Sequence, residues 1–375
     1  MSTHAPPQTI ETIALCDVSS RRGASSDSLG DDSSSRSGSL LVPLLKRFLW
    51  GLVTLWGVSL LIFALLFIVP RWGRARFVKA DDVSKVAAAK TKNARPVDPA
   101  AYMMAMTMAG ARTTPENIER IMRERGLDQP LPTQYIRFMH DALTNNLRSY
   151  RNDDLVMAAI WRRFPATLAL ALAGLAIYLA VSIPLGLATA SRSGSRFDRG
   201  ALLLGLLAIS IPTFWLGRLL QQSLAYRLGW FSVGGGASLW NLPLPALTLG
   251  IGGAALYARL LHANLRSVLG QDYIRAARAR GLGERRVLSR HALKNALIPL
   301  VTILGMDFAS LLSGLIFTEK IFAWPGIGSL IVDSVANSDA PMIMGTVLFS
   351  ALMVVVMSIL VDLAYRWIDP RVRFE

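Results

Sequence analysis

Apolar positions in this chain gather in long uncharged blocks. The first runs from Phe48 to Pro70, 23 residues behind Lys46 and Arg47. At about 1.5 Å of rise per residue, such a block crosses a hydrocarbon layer of about 30 Å as a helix. Five more follow, at about 164–190, 201–225, 242–262, 298–318 and 342–366. The pattern predicts an all-α integral membrane protein with six transmembrane helices and both termini on one side.

The polar stretches divide the rest. Residues 1–40 are rich in Ser, Asp, Gly and Arg and have no apolar run, so they read as a disordered tail rather than a cleavable signal. Residues 41–70 hold the first transmembrane helix. Residues 71–163 are too charged to stay in lipid and read as an extracytoplasmic segment, with helices over Pro115–Arg125 and Pro132–Leu143. Residues 164–366 hold a five-helix core with a polar loop at 265–297, and 367–375 form a short C-terminal tail.

Charge sets the orientation. The net charge is +15, which in a soluble protein suggests nucleic acid. Here the cations favour one set of loops. Residues 191–200 hold Arg192, Arg196 and Arg199, and 265–297 holds Arg266, Arg275, Arg278, Arg280, Arg285, Arg286, Arg290 and Lys294. The two opposing short loops hold Arg227 and Lys320. Cations concentrate on the cytoplasmic side of membrane proteins. Loops 191–200 and 265–297 and both termini are therefore expected in the cytoplasm, with membrane lipid as a partner and nucleic acid excluded. Arg71, Arg74, Arg76 and Lys79 run against this, but the rule weakens in long translocated loops.

Composition removes most catalytic classes. The chain is 52% hydrophobic with mean hydropathy +0.40. Its one cysteine, Cys16, lies in the tail, and His4, His140, His262 and His291 lack a metal-binding spacing. They read as interfacial or solvated side chains. No GxxxxGK[ST] loop or GxSxG elbow is present. The expectation is a non-enzyme without a cofactor of its own, any ATP chemistry lying on another chain.

One loop stands out: QDYIRAARARGLGERRVLSRHALKNALIPL, from Gln271 to Leu300. Ile274, Ala277, Val287, Leu288, Ala292 and Leu293 recur at helical spacing, interrupted by Gly281 and Gly283. A short amphipathic helix, a glycine turn and a second helix should lead into the fifth span, with Pro299 near its start. Ala276 and Ala277 would let another protein approach closely. Arg275, Arg278, Arg280, Arg285 and Arg286 would meet an acidic surface. The same residues also fit a basic loop that anchors topology on anionic lipid.

The loop resembles the "EAA" loop of binding-protein-dependent ATP-binding-cassette (ABC) importer permeases, more narrowly the first-subunit type of the dipeptide/oligopeptide (and nickel) family. Similarity extends to GLDQPL from Gly126, RFPATLALA from Arg163, SIPTFWLG from Ser210, TEKIFAWPGIG from Thr318 and DPRVR from Asp369. It covers about 126–375. It departs where Pro70 is followed by Arg71-Trp72-Gly73-Arg74 in place of a Pro-Gly-Asp-Pro-like turn.

The resemblance implies a type I importer permease (MetI-like) core moving peptides by alternating access. The partners would be a second homologous permease, two ABC ATPase subunits binding ATP and magnesium, and an extracytoplasmic solute-binding protein. Coupling to the ATPase would fall to Asp272, Tyr273, Ala276, Ala277, Gly281, Arg285 and Arg286. Nickel or another small solute stays open as cargo. An ion-coupled secondary transporter would call for inverted repeats, which the sequence lacks.

Polar residues inside spans are costly and therefore candidates. Asp307, mid-way along the fifth span, either lines the pathway and meets a peptide's amino terminus or pairs with another helix. Glu319, at the outer end, either lines the pathway or braces the turn at Trp324-Pro325-Gly326. Asp362 is placed near Arg366 at i+4. Pro184 and Pro212 should kink their spans.

Overall fold

The computed structural model describes residues 41–69, 105, 115–312 and 315–368. The expected tail at 1–40, the basic insert at 71–100 and the terminal residues from 369 lie outside the described residues. From Pro43 onward the elements form one unit.

Helix α1 (Leu41–Phe63) continues through a π-helical turn, Ala64–Ile68. Two short helices follow, α2 (Pro115–Arg125) and α3 (Leu131–Leu143), where the sequence placed them. α2 carries Glu116 in its first turn and Arg123 and Arg125 in its last, charges that suit the helix dipole. It ends at Gly126, in the left-handed region (φ 65°), where the Leu127 N–H returns to the Met122 carbonyl at 2.8 Å. The Gln134 side chain donates to the Leu127 and Gln129 carbonyls, fixing the GLDQPL turn. Ile118, Met122, Leu127 and Phe138 then pack on Phe63, Phe67 and Met344 at the ends of the first and last spans.

The core begins earlier than the apolar block suggested. Helix α4 runs Val156–Ser191, taking Arg162 and Arg163 into its first turns. Pro165 and Pro184 lie inside α4 without ending it. Then come α5 (Arg196–Ser210), α6 (Thr213–Leu220, extended by a π-helical turn Gln221–Arg227) and α7 (Pro243–Leu269). The coupling-loop helix α8 (Asp272–Ala279) precedes α9 (Leu293–Leu312), α10 (Ile316–Ile321), α11 (Ile327–Ala336) and α12 (Ala340–Ile368). Among the described residues there is no strand, only an isolated bridge between Arg148 and Leu155.

Among the described residues, five helical stretches are long and apolar enough to cross a membrane, and a sixth arises if α5 and α6 count as one span. The expected single helix at 201–225 is instead bent by 99°. Pro212 cannot donate an N–H, and Ile211 before it takes an extended conformation (ψ 122°), so α5 stops and α6 restarts.

α7 is the central span, with 56% of its apolar window buried against 22–28% for the four other uninterrupted spans. It crosses α4 closely because glycines line the seam. Gly174 faces Leu249, Gly186 faces Leu261, Gly250 faces Ile177 and Gly253 faces the Tyr178 ring. Small residues allow such approach where helices associate by van der Waals packing in lipid. A Cβ on Gly253 would lie 2.3 Å from that ring. Gly253→Ala should cost about 1–3 kcal/mol by overpacking, read as a lowered unfolding midpoint of the detergent-solubilised protein. Gly252→Ala, with nothing within 4 Å of its Cβ, is the silent control.

Candidate functional site

The loop at 265–297, expected from the sequence to couple to an ATPase, is built on the core. α8 starts after an extended Gln271 and buries Ile274 and Ala277 in the cluster that holds Leu265, Val268, Val287 and Ala292. Ala276 is exposed. Of the two alanines expected at a partner surface, Ala277 therefore faces inward, because three-residue spacing from the buried Ile274 puts it on the apolar side. Gly281 has φ 78° and nothing within 4 Å of an added Cβ. Backbone conformation alone calls for glycine there. Its N–H donates to the Arg278 carbonyl at 2.9 Å.

Arg278 is exposed, but its charge is paired rather than free. It grips Glu284 across the turn at 2.6 and 3.1 Å. This bidentate bond raises the arginine pKa and holds the Glu284 carboxyl below its usual range. Arg275 pairs with Asp272 at 3.3 Å, and Tyr273 accepts from Asn295 at 2.7 Å. Arg280, Arg285 and Arg286 are exposed and make no ion pair among the described residues. A helical turn Glu284–Arg286 and a π-helical turn Val287–Ala292 run into α9 without a break, so Pro299 is interior to the rod rather than at its start.

A second assembly closes the end of the core opposite the loop at 265–297. Two motifs 152 residues apart meet there. Thr167 on α4 donates its hydroxyl to Glu319 Oε1 at 2.7 Å and accepts the Ile327 N–H at 2.8 Å. Ser329 N–H donates to Glu319 Oε2 at 2.8 Å. Trp324 Nε1 donates to the Ala166 carbonyl at 2.8 Å, and Arg163 reaches Ser329 Oγ at 3.3 Å. A Cβ on Gly326 would lie 2.1 Å from Glu319 Oε1, and one on Gly328 2.8 Å from the Ile316 backbone. Glu319 has 0% exposure. Here it caps α11, and of the two readings of Glu319 the bracing one is the one its contacts match. Burial pushes its carboxyl above the usual range, while the N–H donors, Thr167 and Arg163 pull it down. Alongside, Lys320 pairs with Asp333 at 2.5 Å. Asp339 accepts from Ser149 Oγ and, at 3.1 Å, from Tyr150 N, tying the segment before α4 to the start of α12.

Inside the spans, Asp307 is half-buried and accepts a 2.6 Å hydrogen bond from Tyr257 Oη, with the Tyr178 ring 5.7 Å from Tyr257. Asp362 meets Arg47 of α1; the side chain of Arg366 lies outside the described residues. His140 is exposed beside Asp141. His262, read as interfacial or solvated, is buried beside Asp198. No local pattern announces the pairs Tyr257–Asp307, Arg47–Asp362 and Asp198–His262, since each joins elements far apart in the chain.

A seam-packed helical core, a broken span and a basic loop mounted on the core define the membrane-embedded subunit of a transporter. The model of the "binding-protein-dependent transport system inner membrane component" family matches residues 182–374, and that of its N-terminal segment matches 92–171. The oligopeptide transport system permease protein AppB of Bacillus subtilis is 36% identical over 293 residues, covering 75% of this chain and 91% of the relative. The glutathione transport system permease protein GsiC of Pectobacterium atrosepticum is 38% identical over 268 residues, covering 71% and 88%. A solved structure of the MetNI methionine ABC transporter shares the fold, with a TM-score of 0.50 at 18% identity over 57% of this chain and 97% of that one. This chain belongs to the family of inner-membrane components of binding-protein-dependent transport systems, as a multi-pass permease subunit of an ABC importer.

Proposed function

We propose that this chain forms one half of the pathway of a peptide importer, carrying di- or oligopeptides across the cytoplasmic membrane by alternating access. It performs no covalent chemistry. Two partner ATPases bind ATP and magnesium, a second homologous permease completes the pore, and an extracytoplasmic solute-binding protein delivers cargo. The termini, loop 191–200 and the coupling loop face the cytoplasm. The observation that carries this reading is the coupling loop: α8 is anchored by Ile274 and Ala277 to the core that includes α7 and presents Asp272, Tyr273 and Ala276 outward, and the turn after it exposes Arg280, Arg285 and Arg286. A push on that face moves α7 and α9 as a unit. The names of the relatives support peptide as the cargo class.

The test is reconstitution of the full assembly in proteoliposomes with ATP inside. Uptake of a radiolabelled tripeptide that needs ATP and the solute-binding protein supports the reading. Tripeptide uptake driven by an ion gradient without ATP overturns it.

Asp307 is the residue we assign to the peptide's amino terminus, with Tyr257 holding one of its carboxylate oxygens. Asp307→Asn should lower uptake of peptides with a free amino terminus about tenfold, a loss of about 1.4 kcal/mol, and leave N-acetylated peptides unchanged. An equal fall for both kinds of peptide returns Asp307 to a purely structural role.

A further inference from the structure

Helix α5 is held unlike the other long helices of the core. At one end Asp198, on its first turn, is buried. Asp198 Oδ2 accepts the Gly194 N–H at 2.8 Å, and the Ser195 hydroxyl accepts the Asp198 N–H at 3.1 Å, so its carboxylate is fixed to the turn between α4 and α5. Its other oxygen, Oδ1, has no hydrogen-bond partner and faces His262 Nδ1 at 3.5 Å, which has none either. Two buried polar atoms are thus each other's sole available partner among the described residues. A buried donor and acceptor left unpaired are costly, so a pair at this distance is a contact ready to tighten.

The remainder of α5 is loosely packed. Between α4, α5 and α7 lies an apolar cleft of about 440 Å³, lined by Ile177 and Val181 of α4, Phe197 and Leu204 of α5, and Leu247 and Ile251 of α7. At its other end α5 is cut from α6 by the 99° break at Pro212. His262 stands ten residues before the coupling-loop helix on the span that carries it. The helix therefore has a polar hold at one end, room along one side and a joint at the other.

We propose that Asp198 and His262 form a pin at the coupling-loop end of α5, about which α5 swings against α7 in each transport cycle. They are positioning residues: movement of the coupling loop passes through α7 and His262 to Asp198, and so to the broken third span. The inference rests on the reading of the chain as an ATP-driven permease.

Gly205 supplies the measurement. A Cβ there would lie 3.9 Å from the Cβ of Ala255 on α7, within disulfide reach and clear of any tighter contact. In the complete importer, with Cys16→Ser, the double variant Gly205→Cys/Ala255→Cys should cross-link on oxidation. Uptake should then fall at least about tenfold and return on reduction. ATP with vanadate should slow the cross-linking by about threefold or more, as the helices separate. That second readout needs no cargo, so it distinguishes failure of the swing from failure of the peptide reading. Wild-type uptake in the cross-linked complex, a cross-linking rate indifferent to nucleotide, or no cross-link at all overturns the swing.

The pin has its own arm. His262→Asn places an amide N–H where Nδ1 lies and should keep uptake within about twofold, whereas His262→Leu and Asp198→Ala should lower it about tenfold with the ATPase still bound. Equal losses for His262→Asn and His262→Leu overturn the pin and reduce the pair to packing.

Discussion

Gly281→Pro is expected to strip the ATPase from this permease while leaving its spans folded. The turn holds Gly281 at φ 78°, and proline is confined near −65°. The substitution also deletes the N–H that closes the turn on the Arg278 carbonyl. Either the turn reopens or α8 is displaced, and in both cases the Arg278–Glu284 clasp across it is lost. Nothing lies within 4 Å of a Cβ added at Gly281, and only its neighbour Leu282 reaches the edge of the core, so the disturbance falls on the turn rather than on the spans. A left-handed residue other than glycine costs about 1–2 kcal/mol, so Gly281→Ala should weaken docking about tenfold. Proline, incompatible with the turn, should weaken it about a hundredfold or more, beyond what survives purification. The measurement is affinity co-purification from the native membrane, with peptide uptake alongside. An ATPase retained by the proline variant at wild-type stoichiometry ends the assignment of this loop as the dock.

Glu319→Ala should be the most destabilising single change outside the spans. The carboxylate lies beyond the outer end of α9 with 0% exposure, and it is the acceptor for the Thr167 hydroxyl and the Ser329 N–H. Removing it leaves both donors buried without an acceptor and opens a void beneath Gly326. Each orphaned group costs about 1–3 kcal/mol, so the whole loss is about 3–5 kcal/mol. Glu319→Gln keeps the volume and the acceptor for Thr167, but sets an amide NH2 against the Ser329 N–H; about half that loss is expected.

The two variants also differ from wild type in their response to pH. Because burial raises the Glu319 carboxyl, the folded chain binds that proton more readily than the unfolded one. Its contribution to stability is full below the ordinary carboxylate range and declines as pH rises through the raised value. Glu319→Gln should remove that slope. Unfolding midpoints of the detergent-solubilised protein across pH 4–8 measure both effects. A Glu319→Ala variant as stable as wild type would show that the outer end is held by Trp324 and the apolar contacts alone.

Much of this architecture was legible in the chain because its causes are local. A run of 23 uncharged residues at Phe48–Pro70 must span or bury, whatever surrounds it. The limits of α2 and α3 follow from Pro115, Gly126 and Pro130, which act within a few residues of themselves. Gly281 is the same kind of signal, and the structure puts it in the left-handed turn the sequence called for.

What the sequence could not decide were matters of facing and of partners at a distance. Helical spacing places Ala276 and Ala277 side by side, yet the packing of Ile274 on Leu265 and Val268 turned one outward and the other in. Arg278 was one of a row of cations until the turn brought Glu284 to it. Pro184 and Pro212 look alike as letters, but α4 runs on through the first and the chain bends by 99° at the second. Glu319 could be read from the sequence as a brace of the turn or a pathway residue, but nothing there named Thr167, 152 residues away, as its partner. Asp198 and His262 carried no local mark at all. Span, charge asymmetry and turn chemistry are short-range properties and are written in order along the chain. Burial and pairing depend on which helices meet, and only the tertiary structure settles that.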